Sequence, residues 1–403
     1  MIVGNRLEIN PSFAYKLSGA LIKIFKRKNI SFVVGYDTRI ESKTLAHTLV
    51  EGLMKMGAKV FFVEKTTCGG ISFAIKHYRA TAGVLVTASE KLFVYNGFKI
   101  YNGNGFKISD EQMSAIKYSV EHDLFEFTNP CAELCYESEF NQEYAKYLLT
   151  FVENKKDFVL DVAHGSGVFV AEHLKKHLDI IIENGDFNGF DINYQSGINS
   201  NNSTQGKWNI KIDGDGDKVV IISPDGKVLN GDAVLTIFSL YYNEACTTNL
   251  LTNNSYFDIL DNHNIKYELT GLGERRLVDT MLKKGHNLCG EKSGSMVFMN
   301  TKTSDAFITA IKFLNIVDDN VVCEVLNQTL VPCKELKFTL DYDKINCNTF
   351  NLLLNESERK LENNGKIIVR LNHIEGIVNI YIESKDLTLI EKITNDFNCF
   401  MYL

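Results

Sequence analysis

Asp213, Asp215 and Asp217 stand at every second position of the segment Asp213-Gly214-Asp215-Gly216-Asp217-Lys218, with glycines between them. In an extended or tightly turned backbone alternate residues face one side, so three carboxylates crowd one small volume. The glycines remove the Cβ atoms that would keep this backbone from tightening. Three like charges so close repel unless a hard divalent cation joins them, and all-oxygen donors suit Mg2+ or Ca2+. A calcium helix-loop-helix fails on spacing: it wants glycine at its sixth position and glutamate at its twelfth, and here those are Lys218 and Pro224. An acidic β-hairpin turn is the competing reading, since Asp-Gly is a common turn pair and the flanks 207–212 and 219–222 have strand character.

The elements that must hold such a loop alternate between helix and strand. Asn10 can cap a helix with Pro11 in its first turn, and Phe13, Leu17, Leu21, Ile24 and Phe25 continue it as an apolar stripe. The run Phe32-Val33-Val34 follows and ends at Gly35. A helix over 43–56, a strand over 60–63, another helix and a strand over 83–86 come next. Wholly apolar strands in this alternation imply a parallel sheet covered on both faces, with ligands gathered at the carboxyl ends of its strands. Two such ends carry chemistry: Gly35-Tyr36-Asp37-Thr38-Arg39 and Thr87-Ala88-Ser89. The rhythm restarts at 158–161 and around 246–300. At the C-terminus, strands over 366–370 and 377–382 precede a helix from about 387, an α+β pattern.

Composition narrows the classes. At 403 residues two to four domains are expected. With 45% hydrophobic residues and four prolines the chain is globular, and its net charge of -7 argues against a general nucleic-acid surface. No apolar run approaches the roughly 18 residues that span a bilayer, and no signal-peptide pattern opens the chain, so a cytoplasmic location is expected. Nine irregularly spaced cysteines read as reduced thiols. Cys131 and Cys135 have no second pair to complete a zinc site. Neither a P-loop nor a G-x-G-x-x-G follows any strand, which argues against a nucleotide-binding protein.

Together these loops resemble those of the α-D-phosphohexomutase superfamily along nearly the whole chain. That family carries a G-x-D-T-R strand end, a T-A-S-H-N-P phosphoserine loop, a D-G-D-G-D-R metal loop, a G-E-x-S-G sugar loop and an R-x-S-G-T-E-P phosphate loop. The first stands intact at 35–39, the metal loop is intact but for Lys218, and Gly290-Glu291-Lys292-Ser293-Gly294 keeps the sugar loop. Residues 281–294 and 78–84 look most like the phosphoglucosamine mutase branch.

The resemblance implies an α/β fold of four domains around a central cleft, three doubly wound and the fourth α+β, with boundaries at 1–128, 129–232, 233–333 and 334–403. It implies a phosphoryl shuttle: a phosphoserine matching Ser89 donates to the sugar, a bisphosphate turns around in the cleft, and the other phosphate returns to Ser89. Glucosamine 6-phosphate thereby becomes glucosamine 1-phosphate, with a bisphosphorylated sugar as activator. One Mg2+ would be held by Asp213, Asp215, Asp217 and Ser89. Arg39 would clamp a phosphate through its planar fork, and Lys99 occupies the family's proton-transfer position. Glu291, Ser293 and Arg370 would contact the substrate. Glu274 and Arg275 parallel a family G-D-R and either face the sugar or cap a helix. Lys99 has a duller reading: it lies in a near-duplicate, 95–100 followed by 101–108, whose two Asn-Gly pairs suggest hairpin turns with solvated lysines.

Departures accompany the matches. After Ser89 the family's histidine, asparagine and proline are Glu90, Lys91 and Leu92. Glu90 sets a negative charge beside a phosphoserine, which Lys91 could offset. In the phosphate loop only Arg370 and Glu375 remain, with Asn372 and His373 as polar replacements. Ser295 stands where a histidine is usual, and the family's F-G-T-D-G-I-R-G is absent before Gly4-Asn5. Two outcomes compete: a working phosphoglucosamine mutase, or a degenerate or slow homologue that binds Mg2+ and sugar phosphate. A phosphomannomutase or phosphoglucomutase is a further alternative, because sugar choice depends on pocket shape. Oligomeric state is not legible.

Overall fold

Asn10 accepts a hydrogen bond from the Phe13 amide at 3.0 Å and Pro11 opens the helix Pro11–Ile24, as cap chemistry and the missing proline N–H dictate. The computed structural model describes residues 1–124, 132–372 and 376–402. His373 and Glu375 of the expected phosphate loop, and Cys131, lie outside these. Among the described residues, four β-sheets follow one another along the chain.

The first sheet comprises β1 (Ile2–Asn5), β2 (Ser31–Tyr36), β3 (Lys59–Lys65), β4 (Ala82–Val86), β5 (Tyr95–Asn102) and β6 (Leu134–Tyr136), in the order β1-β5-β4-β2-β3-β6. β2, β3, β4 and β6 run parallel, whereas β5 is antiparallel to both β4 and β1. The sheet is therefore mixed where a parallel one is expected from sequence. The cause is the short connection 87–94, which returns the chain at once instead of crossing over through a helix. Tyr36 pairs with Val86, so the two chemically loaded strand ends emerge side by side. Asn96-Gly97 is not a turn but lies within β5. A Cβ on Gly97 would stand 2.1 Å from the Ile2 carbonyl oxygen, so glycine is needed there for close strand approach. Lys99 consequently points into the protein, 3% exposed.

The second sheet holds β7 (Phe158–Asp161), β8 (Ile180–Glu183), β9 (Trp208–Ile212), β10 (Val219–Ile222) and β11 (Val228–Leu229). Ile212 faces Val219 across an antiparallel pair, so residues 213–218 are the connecting loop. The hairpin reading and the carboxylate-cradle reading describe the same segment. The third sheet holds β12 (Cys246–Asn249), β13 (Tyr267–Thr270), β14 (Leu288–Gly290) and β15 (Met296–Phe298), with residues 291–295 joining the last two. The fourth is antiparallel: β16 (Cys333–Thr339), β17 (Gly365–Asn372) and β18 (Ile377–Ser384), in the order β16-β18-β17. β16 escapes a reading from sequence because only Leu336 and Phe338 of its seven residues are buried.

One continuous core runs through the first three sheets, joining Val33, Ile71 and Leu85 to Leu160 and Ile212 and on to Phe238 and Phe307. The other face of the first sheet packs separately against its helices, and the fourth sheet has its own core around Ile380, Ile393 and Phe397. No helix among the described residues is long and apolar enough to cross a membrane.

Asp305 helps to join these layers. It caps the helix Ala306–Asn315 by accepting from the Phe307 and Ile308 amides at 3.0 and 3.2 Å. Tyr144, on the helix Phe140–Leu149, donates to its other oxygen. The Ala306 amide donates to the Gly216 carbonyl at 3.0 Å, fixing the underside of the aspartate loop. Burial pushes the Asp305 carboxyl up to about 6, against the opposing pull of Tyr144, the capped amides and Lys76. The fold thus favours the protonated acid, so its contribution is fully present below the ordinary value of 3.8 and is lost as pH rises to about 6. Asp305→Asn keeps a capping oxygen and removes that titration. Urea unfolding at pH 5 and pH 7.5 should show the variant losing less stability with rising pH than the parent, by on the order of 1 kcal/mol; equal losses would rule the assignment out.

Candidate active site

Ser89 lies just past β4 in a left-handed conformation (φ 54°), which L side chains adopt at a cost. Its backbone is held from three sides. The amide donates to Thr87 Oγ1 at 3.0 Å, and the carbonyl accepts from Arg39 Nη2 at 2.8 Å and Asn193 Nδ2 at 2.7 Å. The hydroxyl is thereby aimed at the aspartate loop, with Oγ 2.7 Å from Asp213 Oδ2 and 3.1 Å from Asp217 Oδ1. Lys218 Nζ and Lys99 Nζ donate to the same oxygen at 2.8 and 3.2 Å.

The aspartate loop is a tight turn. Gly216 has φ 67°, a region that favours glycine. Asp213 Oδ1 accepts from the amides of Asp217 and Lys218 at 2.9 and 3.0 Å. Asp215 Oδ2 accepts from Thr87 Oγ1 at 2.9 Å and pairs with Lys99 at 2.7 Å, while its Oδ1 is buried with no hydrogen-bond partner among the described residues. Asp217 Oδ2 pairs with Lys99 and, at 3.2 Å, with Lys107. Burial pushes the Asp213 carboxyl up to about 7. Burial acts the same way on Asp217, but Lys218, Lys99 and Lys107 outweigh it and hold that group well below the usual carboxylate range.

Five carboxylates crowd this pocket, from Asp213, Asp215, Asp217, Glu90 and Glu274, against the ammonium groups of Lys99, Lys107 and Lys218. The excess of negative charge, the oxygen donor set and the orphaned Asp215 oxygen fit a hard divalent cation. Cys68 Sγ also lies within 4.8 Å of the Asp215 and Asp217 oxygens. Burial and Asp215 push its thiol well above the usual range, so sulfur is the poorer donor.

Arg39 is not at the mouth of the cleft. Its side chain is fully buried: Nε bonds Asp37 Oδ2 at 2.8 Å, and the other nitrogens donate to the carbonyls of Leu92 at 2.7 Å, Tyr95 at 3.1 Å and Ser89. The guanidinium fork expected to clamp a phosphate instead clamps the backbone of the serine loop. Lys99 is inside the site, not on a solvated turn. Burial alone would lower its pKa, but Asp215 and Asp217 hold the ammonium charged well above the ordinary lysine value. Lys99 therefore brings a proton and a positive charge into the site.

Glu274 opens the helix Glu274–Lys284 and turns inward, accepting from Lys107 and from Ser304 Oγ at 2.6 Å. Arg275 Nη1 donates to the Lys107 carbonyl at 2.7 Å and Nη2 pairs with Asp279 at 2.7 Å. These two side chains join the third sheet's layer to the first. Lys107 was not singled out from sequence, although the repeat of Asn-Gly-Phe-Lys-Ile at 96–100 and 104–108 contained the signal. Asn193 was also missed: it is buried at φ 62°, its Nδ2 reaches the Ser89 and Lys91 carbonyls, and its Oδ1 accepts from the Gly214 amide at 2.8 Å. One amide side chain thus fastens the serine loop to the aspartate loop.

The loop 291–295 docks on the same hairpin. The Val219 amide donates to the Gly294 carbonyl at 3.1 Å, and Lys218 bridges Ser295. A Cβ on Gly294 would fall 2.2 Å from the Val219 carbonyl oxygen. Glu291 accepts from Ser293 Oγ and Asn249 Nδ2, both at 2.8 Å, and burial raises its pKa while Ser293, Lys218 and Arg370 oppose the shift. Ser293 and Arg370 are exposed. The partner of Glu90 is Lys218, at 2.9 Å. The repulsion expected beside Ser89 is answered across the cleft, from the aspartate loop.

Comparisons with known proteins agree with this architecture. Family models for phosphoglucomutase/phosphomannomutase match the chain as domain I over residues 2–126 and as domain III over 230–331. A phosphoglucosamine mutase of Limosilactobacillus reuteri is 27% identical, over 96% of this chain and 93% of its own length. A phosphoglucomutase/phosphomannomutase family protein of Burkholderia thailandensis superposes with a TM-score of 0.81 at 16% identity, covering 99% of this chain and 95% of that one. The N-acetylphosphoglucosamine mutase of Aspergillus fumigatus, solved with GlcNAc-6P and magnesium, superposes at 0.63 with 14% identity, over 82% and 91% of the two chains. The chain belongs to the α-D-phosphohexomutase superfamily and is a phosphoglucosamine mutase-like isomerase.

Proposed function

We propose that this protein interconverts glucosamine 6-phosphate and glucosamine 1-phosphate through a phosphoserine at Ser89 and a bisphosphorylated sugar. One observation carries the reading: the Ser89 hydroxyl lies 2.7 Å from Asp213, 124 residues away in sequence. Nucleophile and cation cradle thus converge at one point. Asp213, Asp215, Asp217 and Ser89 would hold Mg2+, which would supply positive charge to the oxygens of a phosphoryl in transfer. The identity of the sugar is supported by the phosphoglucosamine mutase relatives, and binding of a sugar phosphate by the GlcNAc-6P named in the Aspergillus structure.

In the first half-reaction the bond between Ser89 Oγ and phosphorus breaks as a sugar hydroxyl oxygen bonds the same phosphorus. Lys99, 3.2 Å from Oγ, is placed to give its proton to the departing serine oxygen and to recover one from the sugar hydroxyl. Glu291 and Ser293 would hold the ring hydroxyls, and Arg370 the distal phosphate. The bisphosphate turns over, and its second phosphate returns to Ser89 by the reverse step. Glu274 supports the site by fixing Lys107, and Arg275 by holding the Lys107 backbone.

Conversion of glucosamine 6-phosphate, primed with catalytic glucosamine 1,6-bisphosphate, should require Mg2+. Intact mass spectrometry should show one phosphoryl adduct that vanishes in Ser89→Ala together with turnover. Absence of both signals in folded protein would leave a degenerate homologue. Arg39 separates loop positioning from phosphate binding. Arg39→Lys cannot reproduce four bonds to Asp37 and three carbonyls, so kcat should fall about 100-fold with KM little changed. A raised KM at unchanged kcat would instead restore the phosphate clamp.

A further inference from the structure

Lys218 Nζ is surrounded by more acceptors than an ammonium has protons. Ser89 Oγ lies at 2.8 Å, Asp217 Oδ1 at 3.1 Å, Asp213 Oδ2 at 3.3 Å and Glu90 Oε2 at 2.9 Å. The first three oxygens belong to residues assigned to the divalent cation. An ammonium and a metal ion cannot both sit among them, since like charges a few ångströms apart in a buried pocket repel strongly. Glu90 differs from the other three acceptors. It belongs to no proposed ligand set, and its side chain is 38% exposed where those of Asp213 and Asp217 are at most 2%.

The backbone of Lys218 cannot carry its charge away. Its amide is bonded to Asp213 Oδ1 at 3.0 Å, and the residue bridges Ser295. Only the flexible four-carbon stem can move. Lys99 shares the Ser89 oxygen with Lys218, but Lys99 and Lys107 bond different carboxylate oxygens: Lys99 pairs with Asp215 Oδ2 and Asp217 Oδ2, and Lys107 with Asp217 Oδ2 and Glu274. Lys218 is the ammonium found against Asp213. Lys218 and Glu90 are also two departures from the family's loops, lysine for arginine and glutamate for histidine, and they touch each other across 128 residues of sequence.

We propose that Lys218 is a tethered competitor for the divalent-cation position and that Glu90 is the berth to which its ammonium withdraws when the ion binds. The inference rests on the cation reading of the aspartate loop, not on turnover. Ion affinity in this chain is then set by a local exchange of one positive charge for another, with Glu90 easing the exchange.

Ion binding to the full, unphosphorylated chain tests this directly, with Mn2+ followed by electron paramagnetic resonance and Mg2+ by calorimetry. Lys218→Met, which keeps the stem and removes the charge, should tighten Mn2+ about tenfold. Glu90→Gln should weaken it about tenfold, because the displaced ammonium loses its berth. In the Lys218→Met background, Glu90→Gln should change the Kd less than about twofold. Equal weakening in both backgrounds would reduce Glu90 to a diffuse negative charge and overturn the proposal, as would unchanged or weaker binding in Lys218→Met. Should Lys218→Met misfold by circular dichroism, Lys218→Gln takes its place, with the same tightening expected. Absence of Mn2+ binding in parent and variant alike would sink both the proposal and the cation reading. The expected shifts without any turnover would uphold the proposal and count against the mutase reading.

Discussion

Burial of three aspartates on one hairpin loop is the constraint around which this molecule is built. At most 2% exposed, these carboxylates require compensation, of which the second sheet's own layer supplies, among the described residues, one ammonium, Lys218, and the amides of Asp217 and Lys218. The remainder arrives from elsewhere: Lys99 and Lys107 from the first sheet's layer, and indirectly Glu274, which steadies Lys107 from the third. Removing one partner from a buried ion pair typically costs about 3–5 kcal/mol. The charge cluster therefore does more than wait for a cation. It dictates that three layers converge on one spot, and the continuous hydrophobic core beneath them makes that convergence affordable.

The same logic explains the serine loop. A left-handed serine aimed into an acidic pocket does not hold itself there, and the restraints on it come almost wholly from side chains bonding to backbone. Arg39 ties the carbonyls of Ser89, Leu92 and Tyr95 to Asp37, and Asn193 joins the Ser89 carbonyl to the Gly214 amide. Main-chain atoms are available whatever the side chain. That is how Glu90, Lys91 and Leu92 can occupy positions where the family has other residues while Ser89 still meets the aspartates.

What was legible in the sequence follows from range. Asp213 to Lys218, the strand end at Arg39 and the loop at Glu291 are local patterns, and each appears where its residues suggested. The long, wholly apolar strands and the capped first helix were equally local. Arg39 was placed in the right neighbourhood but given the wrong partner, because a guanidinium fork suits three carbonyls as well as a phosphate. Asn193 had no signal in residue type or spacing: its importance arises only when two distant loops come within one side chain's reach. The antiparallel return of β5 depended on a short connection that turn residues alone did not reveal. β16 was hidden by its exposed residues.

The fourth sheet has its own core and meets the rest of the chain through polar and cation–aromatic contacts: Lys366 to Asn254 at 3.0 Å, the Asn254 amide to Glu383 at 3.0 Å, and Lys292 over the Tyr381 ring at 4.4 Å. In such an arrangement, mutational drift in one part does not propagate into the other. A substitution in the aspartate loop disturbs three layers at once and is purged for its effect on folding alone. A substitution at the exposed Arg370 or Leu371, at the end of β17, touches neither core, so folding constrains it little. The uneven divergence of this sequence from the family it resembles, with the aspartate triad kept and the residues that follow Arg370 rewritten, is what modular stability allows.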